Sequence, residues 1–393
     1  MAIMKNNAKI YMDNAATTAV SRDVLESMLP YYQTSFGNPS SVHCFGMQAR
    51  KAIEDARVRI ADALNCAPVE LYFTSGATEA NNLAVMGTIL HAEKKKVVVS
   101  CIEHPSILSC CKFLERFGYK VSYIGVDSAG VIDLDAFRKE IDANTAIACV
   151  MMANNETGVI QPIEEISDIS HYYGVPLLAD AVQAIGNIPI ALDQSKIDFL
   201  SITGHKIKAP KGIGVLYAKK GTAFRPIIYG GGQERGIRSG TENVPAIVGL
   251  STAVVSSVSN ISVKRLVLDM KKLILNCINS IPFSYVCGNM SCTLPGIIQV
   301  CFDYINGSDL VRYLDNLGIC VSSASACSSN SLQPSHVLLS MGIPHDRARG
   351  ALRISINEDN TTEEINCITR ILPKAISDLR MMDPEYRRIA GAC

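Results

Sequence analysis

The sequence lacks a net charge, because its 37 lysine and arginine residues balance 37 aspartate and glutamate residues in a chain of 393. A chain without an excess of one sign has no field to attract nucleic acid or an acidic membrane surface. Residues 1–7 contain no apolar signal core, and no later apolar run is long enough to span a bilayer. These absences predict a cytoplasmic protein that acts on a small molecule, with no membrane partner and no direct contact with nucleic acid.

Metal-ligand spacing of cysteine is also absent, although the chain contains 14 cysteines. There is no CxxC pair, and neither Cys110-Cys111 nor the pair Cys287 and Cys292 has the spacing and neighbouring histidines of a zinc site. In a long chain with no secretion signal, irregularly spaced cysteines are expected to be reduced thiols. We therefore expect neither a metal site nor a disulfide framework.

What the sequence does contain is an alternation of strand-like and helix-like segments. The chain is longer than one hydrophobic core usually serves, so we expect two domains. An amphipathic helix is predicted between Val42 and Leu64. From Val97 onward, short apolar runs alternate with helical patterns, which is typical of a mostly parallel sheet covered by helices. Ligands of such sheets bind beyond the carboxyl ends of the strands.

Chemically active side chains follow the ends of several predicted strands. These are His104, the asparagine pair and glutamate at residues 154–156, Asp180 and Lys206. We expect them to share one rim of the sheet. An aspartate can keep a pyridine nitrogen protonated, a lysine can bind an aldehyde and an imidazole can cover an aromatic ring. The combination therefore suits pyridoxal 5'-phosphate.

The turn at residues 75–82 stands between a strand-like run and a helix-like run. Free N–H groups and the helix dipole at the start of a helix favour a phosphate, and the Thr78 hydroxyl adds a donor. Ordinary N-capping by Ser75 explains the same residues. Likewise, Lys206 taken alone is explained by a basic hairpin loop exposed to water. The coincidence of all these features at strand ends favours a site over the separate structural explanations.

Motifs spread over nearly the whole chain resemble the cysteine desulfurases of the NifS/IscS type, which belong to the class V aminotransferases. They lie at residues 13–18, 36–39, 74–79, 103–104, 154–158, 180–183, 204–206, 230–241 and 325–327. The resemblance implies an aspartate aminotransferase-like α/β fold (PLP fold type I): a mostly parallel sheet with helices on both faces, plus a smaller α+β domain. The large cofactor domain is expected at residues 16–261. The small domain is expected at residues 1–15 and 262–393, including a catalytic cysteine loop at 322–336.

The resemblance also implies a role for each site residue. Lys206 is expected to bind the cofactor aldehyde, Asp180 the pyridine nitrogen and Gln183 the ring oxygen. His104 is expected to stack on the ring and to share proton transfer with Lys206. The expected phosphate contacts are Ala77, Thr78, Thr203, His205 and, from the other subunit of a homodimer, Thr241. Asn155 and Arg353 resemble the clamp for the substrate carboxylate, and Cys327 resembles the nucleophile that becomes a persulfide.

Two of these roles are also supported by the residues themselves. The segment at residues 322–331 consists of small and polar residues, so no large side chain is there to bury the Cys327 thiol. An incidental loop cysteine is the alternative. Arg353 lies in a short alternating strand at residues 352–356, from which a guanidinium can bind a carboxylate through two hydrogen bonds. A surface ion pair is the alternative for Arg353.

The implied activity converts L-cysteine to L-alanine and leaves sulfane sulfur on Cys327 for an acceptor, either an iron–sulfur scaffold or a tRNA-thiolation protein. Alternatives are a selenocysteine lyase, another aminotransferase of this fold, and a non-catalytic sulfur-relay scaffold. Cys327 favours the desulfurase, and the presence of Lys206, Asp180 and Gln183 argues against the scaffold. The sequence departs from the family at Ala324 and at residues 357–360, which replace a glycine-containing turn, and it lacks the longer tail of some relatives. The acceptor therefore stays open.

Overall fold

The computed structural model describes residues 9–261, 264–323 and 334–391. The strands in this part of the chain are β1 (Ile10–Tyr11), β2 (Leu71–Thr74), β3 (Lys96–Ser100), β4 (Lys120–Ile124), β5 (Thr145–Cys149), β6 (Leu177–Asp180), β7 (Phe199–Thr203), β8 (Gly214–Ala218), β9 (Ser284–Val286), β10 (Ile297–Phe302), β11 (Ile319–Cys320) and β12 (Ala351–Ser355).

The helices of the same part are α1 (Arg22–Met28), α2 (Pro30–Gln33), α3 (Cys44–Leu64), α4 (Ala77–His91), α5 (Pro105–Glu115), α6 (Leu134–Glu140), α7 (Ile163–Tyr172), α8 (Val244–Ser259), α9 (Lys264–Asn279), α10 (Gly307–Asn316), α11 (His336–Ser340), α12 (His345–Arg349), α13 (Thr362–Arg380) and α14 (Pro384–Ile389). The helix predicted from Val42 begins at Cys44, because His43 Nδ1 accepts the N–H of Gly46 and caps it. No single helix in the described ranges is long and apolar enough to cross a membrane; only the bent pair α8 and α9 reaches that length together.

A seven-stranded sheet forms the centre of the larger part of the molecule, in the order β2-β8-β7-β6-β5-β3-β4. Its neighbouring strands are parallel, except that β8 runs antiparallel to both β2 and β7. All residues of β3, β5, β7 and β8 are buried, as expected for strands covered on both faces. The predicted α/β fold with a mostly parallel sheet is therefore confirmed.

Alternate residues of these strands pack into two different hydrophobic clusters. Val98 and Leu200 face the cluster that contains the apolar residues of α3 and α8. Val97, Val99 and Phe199 face the cluster that contains those of α4 and α5. The twofold period of the strands thus places one helical layer on each face of the sheet.

A second, antiparallel sheet has the order β12-β10-β9, and β1 pairs with β11 beside it. Ile298 and Val300 of β10 and Leu352 and Ile354 of β12 pack into a separate cluster with α9, α10 and α13. The intervening residues Gln299 and Arg353 are direct register partners and lie on the opposite face of this sheet. This separate cluster accords with the expected smaller α+β unit, while the division at residues 261 and 262 stays a prediction.

A buried ion pair joins α3 to the loop at residues 230–240. Arg57 Nη2 lies 2.7 Å from Glu234 Oε1, and both side chains are only 3% exposed. Glu234 Oε2 also accepts the N–H of Phe73 at 2.8 Å, and Arg57 Nη1 donates to the carbonyl of Leu71 at 2.9 Å. The pair therefore fixes the position of the loop against β2, and both charges are hydrogen-bonded as buried charges require.

We expect Glu234→Ala to lower the free energy of unfolding by about 3 kcal/mol, because it removes the buried counter-charge of Arg57 and leaves only Glu54, whose side chain is 57% exposed, to pair with it. Glu26→Ala is the matched control, because Glu26 pairs with Arg22 at the same 2.7 Å but on the surface. Its loss should cost about 0.5 kcal/mol or less. Urea denaturation followed by circular dichroism measures both. Equal losses in the two variants would contradict the stabilising role of the buried pair.

Candidate active site

The turn between β7 and β8 holds Lys206 at the end of a short 3₁₀ turn, Gly204–Lys206. The start of β8 packs directly against the turn that precedes α4. A Cβ added to Gly214 would lie 2.7 Å from Gly76 Cα and 2.6 Å from the carbonyl oxygen of Ile202. Only glycine fits so close an approach, so the sequence itself brings the lysine turn and the α4 turn side by side.

Lys206 points inward, not into solvent. Its Nζ donates to the carbonyl oxygens of Ala15 at 2.6 Å and Ala16 at 2.5 Å. The same N-terminal segment is fixed to the turn by Thr18, whose N–H donates to the His205 carbonyl at 2.9 Å. The alternative of an exposed basic hairpin loop is therefore wrong for Lys206.

A cavity of about 630 Å³ opens beside Lys206 at the carboxyl ends of the parallel strands. Most of the residues predicted for the site line it: Ala77, Thr78, His104, Asn155, Asp180, Gln183, Thr203, His205, Lys206 and Arg353. The structure thus brings predicted residues from six separate parts of the sequence to one place, as expected for a ligand site of an α/β sheet.

The first turn of α4 forms one wall of this cavity. Gly76 is the N-cap, with φ at +152°, and in the described residues no side-chain oxygen caps this helix. Ser75 is not the cap that sequence reasoning allowed; its N–H donates to Glu79 Oε2 at 3.0 Å. Glu79 is in turn paired with Arg238 at 2.7 Å. Burial raises the pKa of Glu79, but hydrogen bonds from Arg238 and Ser75 outweigh burial and lower it overall. The start of α4 therefore keeps free N–H groups that suit an anion.

Asp180 is the buried carboxyl group of the site. Its Oδ1 accepts the N–H of Val182 at 2.9 Å, and its Oδ2 accepts Asn81 Nδ2 at 2.9 Å. Burial raises the pKa of Asp180, and these hydrogen bonds, together with His104 and Lys206, oppose the rise. Nearby, Gln183 Nε2 donates to the carbonyl of Ala15 at 3.0 Å, which orients the Gln183 side chain at the cavity wall.

Two histidines of the cavity have depressed basicity. His104 caps α5, because its Nδ1 accepts the N–H of Ser106 at 3.1 Å. Burial lowers the pKa of His104, while the neighbouring Asp180 raises it and Lys206 lowers it further. Burial and the charges of Lys206 and Lys211 lower the pKa of His205 to about 4. Both rings are therefore neutral near pH 7.

Arg353 is buried, with its side chain 4% exposed, so the alternative of a surface ion pair is wrong. Its Nη2 contacts Asp13 Oδ1 at 2.9 Å, and its Nη1 donates to the carbonyl of Asn155 at 3.0 Å. Of the asparagine pair, only Asn155 lines the cavity. Asn154 Oδ1 instead accepts the N–H groups of residues 156 and 157, which orders the turn. The expectation that both asparagines reach the rim is therefore wrong.

Two predicted residues are not brought to this cavity by the described structure. Thr241 is exposed and does not line the cavity in the described part of its own chain. Cys327, like Ala324 and most of the 322–336 loop, lies outside the described residues. Their roles stay predictions.

Sequence reasoning missed four residues that support the site: Asp13, Asn81, Glu103 and Ser106. Asn81 and Glu103 are fully buried. Glu103 Oε1 accepts the N–H of Met151 at 2.6 Å, and burial raises the pKa of this carboxyl. Asn81 gave a usable signal, since it is a buried asparagine among the apolar residues of α4. Glu103 and Asp13 lie in two of the family motifs, but nothing in the sequence indicates their contacts.

Comparison with known proteins identifies the family. Residues 10–368 match the family described as Aminotransferase class-V. A cysteine desulfurase from Nostoc sp. is 43% identical over 97% of this chain and 96% of its own length. The cysteine desulfurase IscS of Methanosarcina thermophila is 41% identical over 98% of both chains.

Solved structures agree with the sequence relatives. A NifS-like protein superposes with a TM-score of 0.89 and 36% identity, covering 94% of this chain and 99% of that chain. SspA in complex with cysteine superposes with a TM-score of 0.78 and 36% identity, covering 88% and 98%. The resemblance inferred from the motifs is thus confirmed, and the chain belongs to the class V aminotransferase family, among the cysteine desulfurases of the NifS/IscS type.

Proposed function

We propose that this protein is a pyridoxal phosphate-dependent cysteine desulfurase, which converts L-cysteine to L-alanine and transfers the sulfur to one of its own cysteines. The observation that carries the proposal is the cavity, which combines a lysine, a buried aspartate, a neutral histidine, a buried arginine and an uncapped helix start. The relatives named cysteine desulfurase, which match nearly the full chain, support it.

The residues present fit the cofactor. The uncapped first turn of α4, with Thr78, Thr203 and His205 beside it, suits the phosphate, and Ala77 contributes its backbone N–H. Asp180 is the only carboxyl group among the described residues that line the cavity besides Glu79, which Arg238 already neutralises. Asp180 therefore suits the pyridine nitrogen. Lys206 and Gln183 suit the aldehyde and the ring oxygen, and His104 suits the ring face.

When bound, the cofactor supplies an electron sink for the carbanion that forms on the substrate. The protein supplies the rest. Arg353 is held by Asp13 and Asn155 so that its guanidinium is fixed at the cavity wall, where it and Asn155 bind the substrate carboxylate. Lys206 Nζ, anchored by the carbonyls of Ala15 and Ala16, moves protons to and from the substrate carbon.

The resemblance to the family assigns the sulfur-accepting thiol to Cys327, and the described cysteines do not compete for this role. Twelve of the 14 cysteines lie in the described residues, and none of those twelve lines the cavity. Burial also raises the pKa of Cys101 and raises that of Cys110 to about 11, which suppresses their thiolates. The Cys327 thiolate attacks the substrate sulfur, an S–S bond forms and the C–S bond breaks. The electron pair of the broken C–S bond stays on the substrate carbon, which takes up a proton. Cysteine and a thiol therefore yield alanine and a persulfide.

The partners follow from this chemistry. The persulfide needs an acceptor thiol, for which an iron–sulfur scaffold and a tRNA-thiolation protein are the classes predicted from the sequence. Thr241 completes the phosphate site of the second subunit in a homodimer, which accounts for its exposure in its own chain. The cytoplasmic location stays a prediction.

Lys206→Ala should retain no covalently bound cofactor and should produce no alanine above background, because the cavity loses the amine that binds the aldehyde. Borohydride reduction followed by peptide mass spectrometry locates the attachment. Lys208→Ala is the control and should keep the cofactor on Lys206. A pyridoxyl group on Lys208 or Lys211 of the unsubstituted protein would contradict the assignment.

Cys327→Ser should bind cofactor and L-cysteine with a normal absorbance change but form no persulfide and almost no alanine, because the thiolate that accepts sulfur is gone. Persulfide labelling with peptide mapping and alanine quantification measure the two steps. Cys292→Ser is the matched control, since Cys292 is exposed and does not line the cavity. Retained turnover on selenocysteine is compatible with the proposal. Alanine release from cysteine near the normal rate would overturn it.

Heterodimers of Lys206→Ala and Thr241→Ala subunits should regain about half of normal activity, because one of the two shared sites then carries neither change. The control pairs an unsubstituted subunit with a Lys206→Ala/Thr241→Ala double variant, which leaves no intact shared site. Alanine formation by purified, affinity-tagged heterodimers measures both. If the control is the more active dimer, each site uses its own Thr241 and the shared arrangement is wrong.

A further inference from the structure

Two buried polar side chains with no part in the proposed chemistry connect Asp180 to His104. Asn81 Nδ2 donates to Asp180 Oδ2 at 2.9 Å and to Ser106 Oγ at 3.0 Å. Ser106 Oγ lies 2.9 Å from His104 Nδ1. Asn81 is fully buried and Ser106 is 8% exposed, so water does not compete for these contacts. We call these four side chains the Asp180–His104 relay.

Donor and acceptor chemistry sets the direction of the relay. A carboxylate only accepts, so the Asn81 amide must turn its NH₂ group toward Asp180. The second hydrogen of that group then reaches Ser106 Oγ, which leaves the hydroxyl hydrogen to be donated to His104 Nδ1. This orientation leaves Asn81 Oδ1 buried without a partner among the described residues. An unsatisfied buried oxygen is unfavourable. The two hydrogen bonds that Nδ2 donates offset this cost and therefore decide the orientation of the Asn81 amide.

His104 Nδ1 accepts from a second donor as well, the N–H of Ser106 at 3.1 Å. A backbone N–H cannot accept, so Nδ1 carries a lone pair and not a proton. The proton of the neutral ring must therefore be on Nε2. Burial lowers the pKa of His104; among the titratable groups near the ring, Asp180 raises that pKa, and Lys206 and His336 lower it.

We propose that Asn81 and Ser106 are positioning residues that hold His104 as its Nε2–H tautomer and make this state depend on the charge of Asp180. Without that charge, Asn81 is free to turn over and to accept the Ser106 hydroxyl through Oδ1. His104 then loses one of its two donors. The inference rests on the proposed function only in giving Asp180 and His104 a cofactor to contact.

The relay assigns different roles in proton transfer to His104 and Lys206. A ring held as the Nε2–H tautomer donates through Nε2 and has no lone pair there to accept a proton. Protonation at Nδ1 would require both donors from Ser106 to be displaced. In the resting protein His104 is therefore a hydrogen-bond donor, and proton abstraction falls to Lys206.

The direct test is NMR of full-length protein labelled with ¹⁵N-histidine, recorded near pH 7 with and without bound pyridoxal phosphate. The His104 signals are assigned by their loss in His104→Gln. In the unsubstituted protein, Nδ1 should show the shift of an unprotonated nitrogen and Nε2 that of a protonated one. Ser106→Ala should lower the ratio of the two tautomers by roughly fivefold, the effect of one net hydrogen bond.

The coupling is tested by combining variants. Asn81→Leu should move the His104 signals in the same direction as Ser106→Ala, and the double variant should do no more than Ser106→Ala alone, because all act through one hydroxyl. Ser106→Thr, which keeps the hydroxyl, should restore the original signals. Asn82→Ala is the matched control, since Asn82 Nδ2 donates to the backbone carbonyl of Ser106 at 3.1 Å and not to the Ser106 hydroxyl that acts in the relay.

In cofactor-loaded protein, Ser106→Ala should lower kcat for cysteine roughly fivefold and leave KM unchanged, with recovery in Ser106→Thr. Unchanged His104 signals in Ser106→Ala, a protonated Nδ1 in the unsubstituted protein, or additive shifts in the double variant would each overturn the relay. These NMR results do not depend on turnover. Failure of the desulfurase proposal would appear separately, as an unsubstituted protein with the expected signals but no alanine from cysteine.

Discussion

The carbonyl groups of the N-terminal segment at residues 13–18 hold the two halves of the site together. Ala15 accepts from both Lys206 and Gln183, and His205 accepts from Thr18, which ties the segment to the central sheet. On the other side, Ala15 N donates to Ser355 Oγ at 2.9 Å and Asp13 pairs with Arg353. One short segment that contains a turn therefore fixes the distance between the lysine that follows one sheet and the arginine on the other.

The charged and acidic side chains buried at this cavity are hydrogen-bonded within the protein. Asp180, Arg353 and Glu103 are all largely removed from water, and each has at least one strong hydrogen-bond partner. Low local polarity strengthens every electrostatic contact to a bound ligand, and it equally penalises a group left without a partner. The polar side chains behind the cavity wall are thus as necessary to the site as those that line it.

The order of strands and helices, the rim of the sheet and most cavity residues were predictable, because twofold and helical periodicities survive in a single sequence and strand ends mark ligand sites. Contacts between distant positions were not. Nothing in the sequence pairs Asp13 with Arg353, which are 340 positions apart, or Asn81 with Asp180. The cap of α4 stayed open in the sequence, because Ser75 suits an N-cap locally, whereas in the structure Gly76 is the N-cap and packs against Gly214. Asn154 does not line the cavity, because its side chain instead accepts backbone N–H groups of the following turn.

The loop at residues 230–240 connects fold stability to the proposed assembly. Glu234 anchors it to Arg57 behind β2, and Arg238 anchors it to Glu79 in the first turn of α4. Glu234 and Arg235 adopt positive φ values of 46° and 58°, which are strained for residues with side chains and need such anchors to persist. Thr241 follows this loop directly. In the proposed homodimer, the ion pairs that anchor the loop also position Thr241 for the partner subunit. One of these pairs contains Glu79, which lies in the turn that forms the anion site of its own chain.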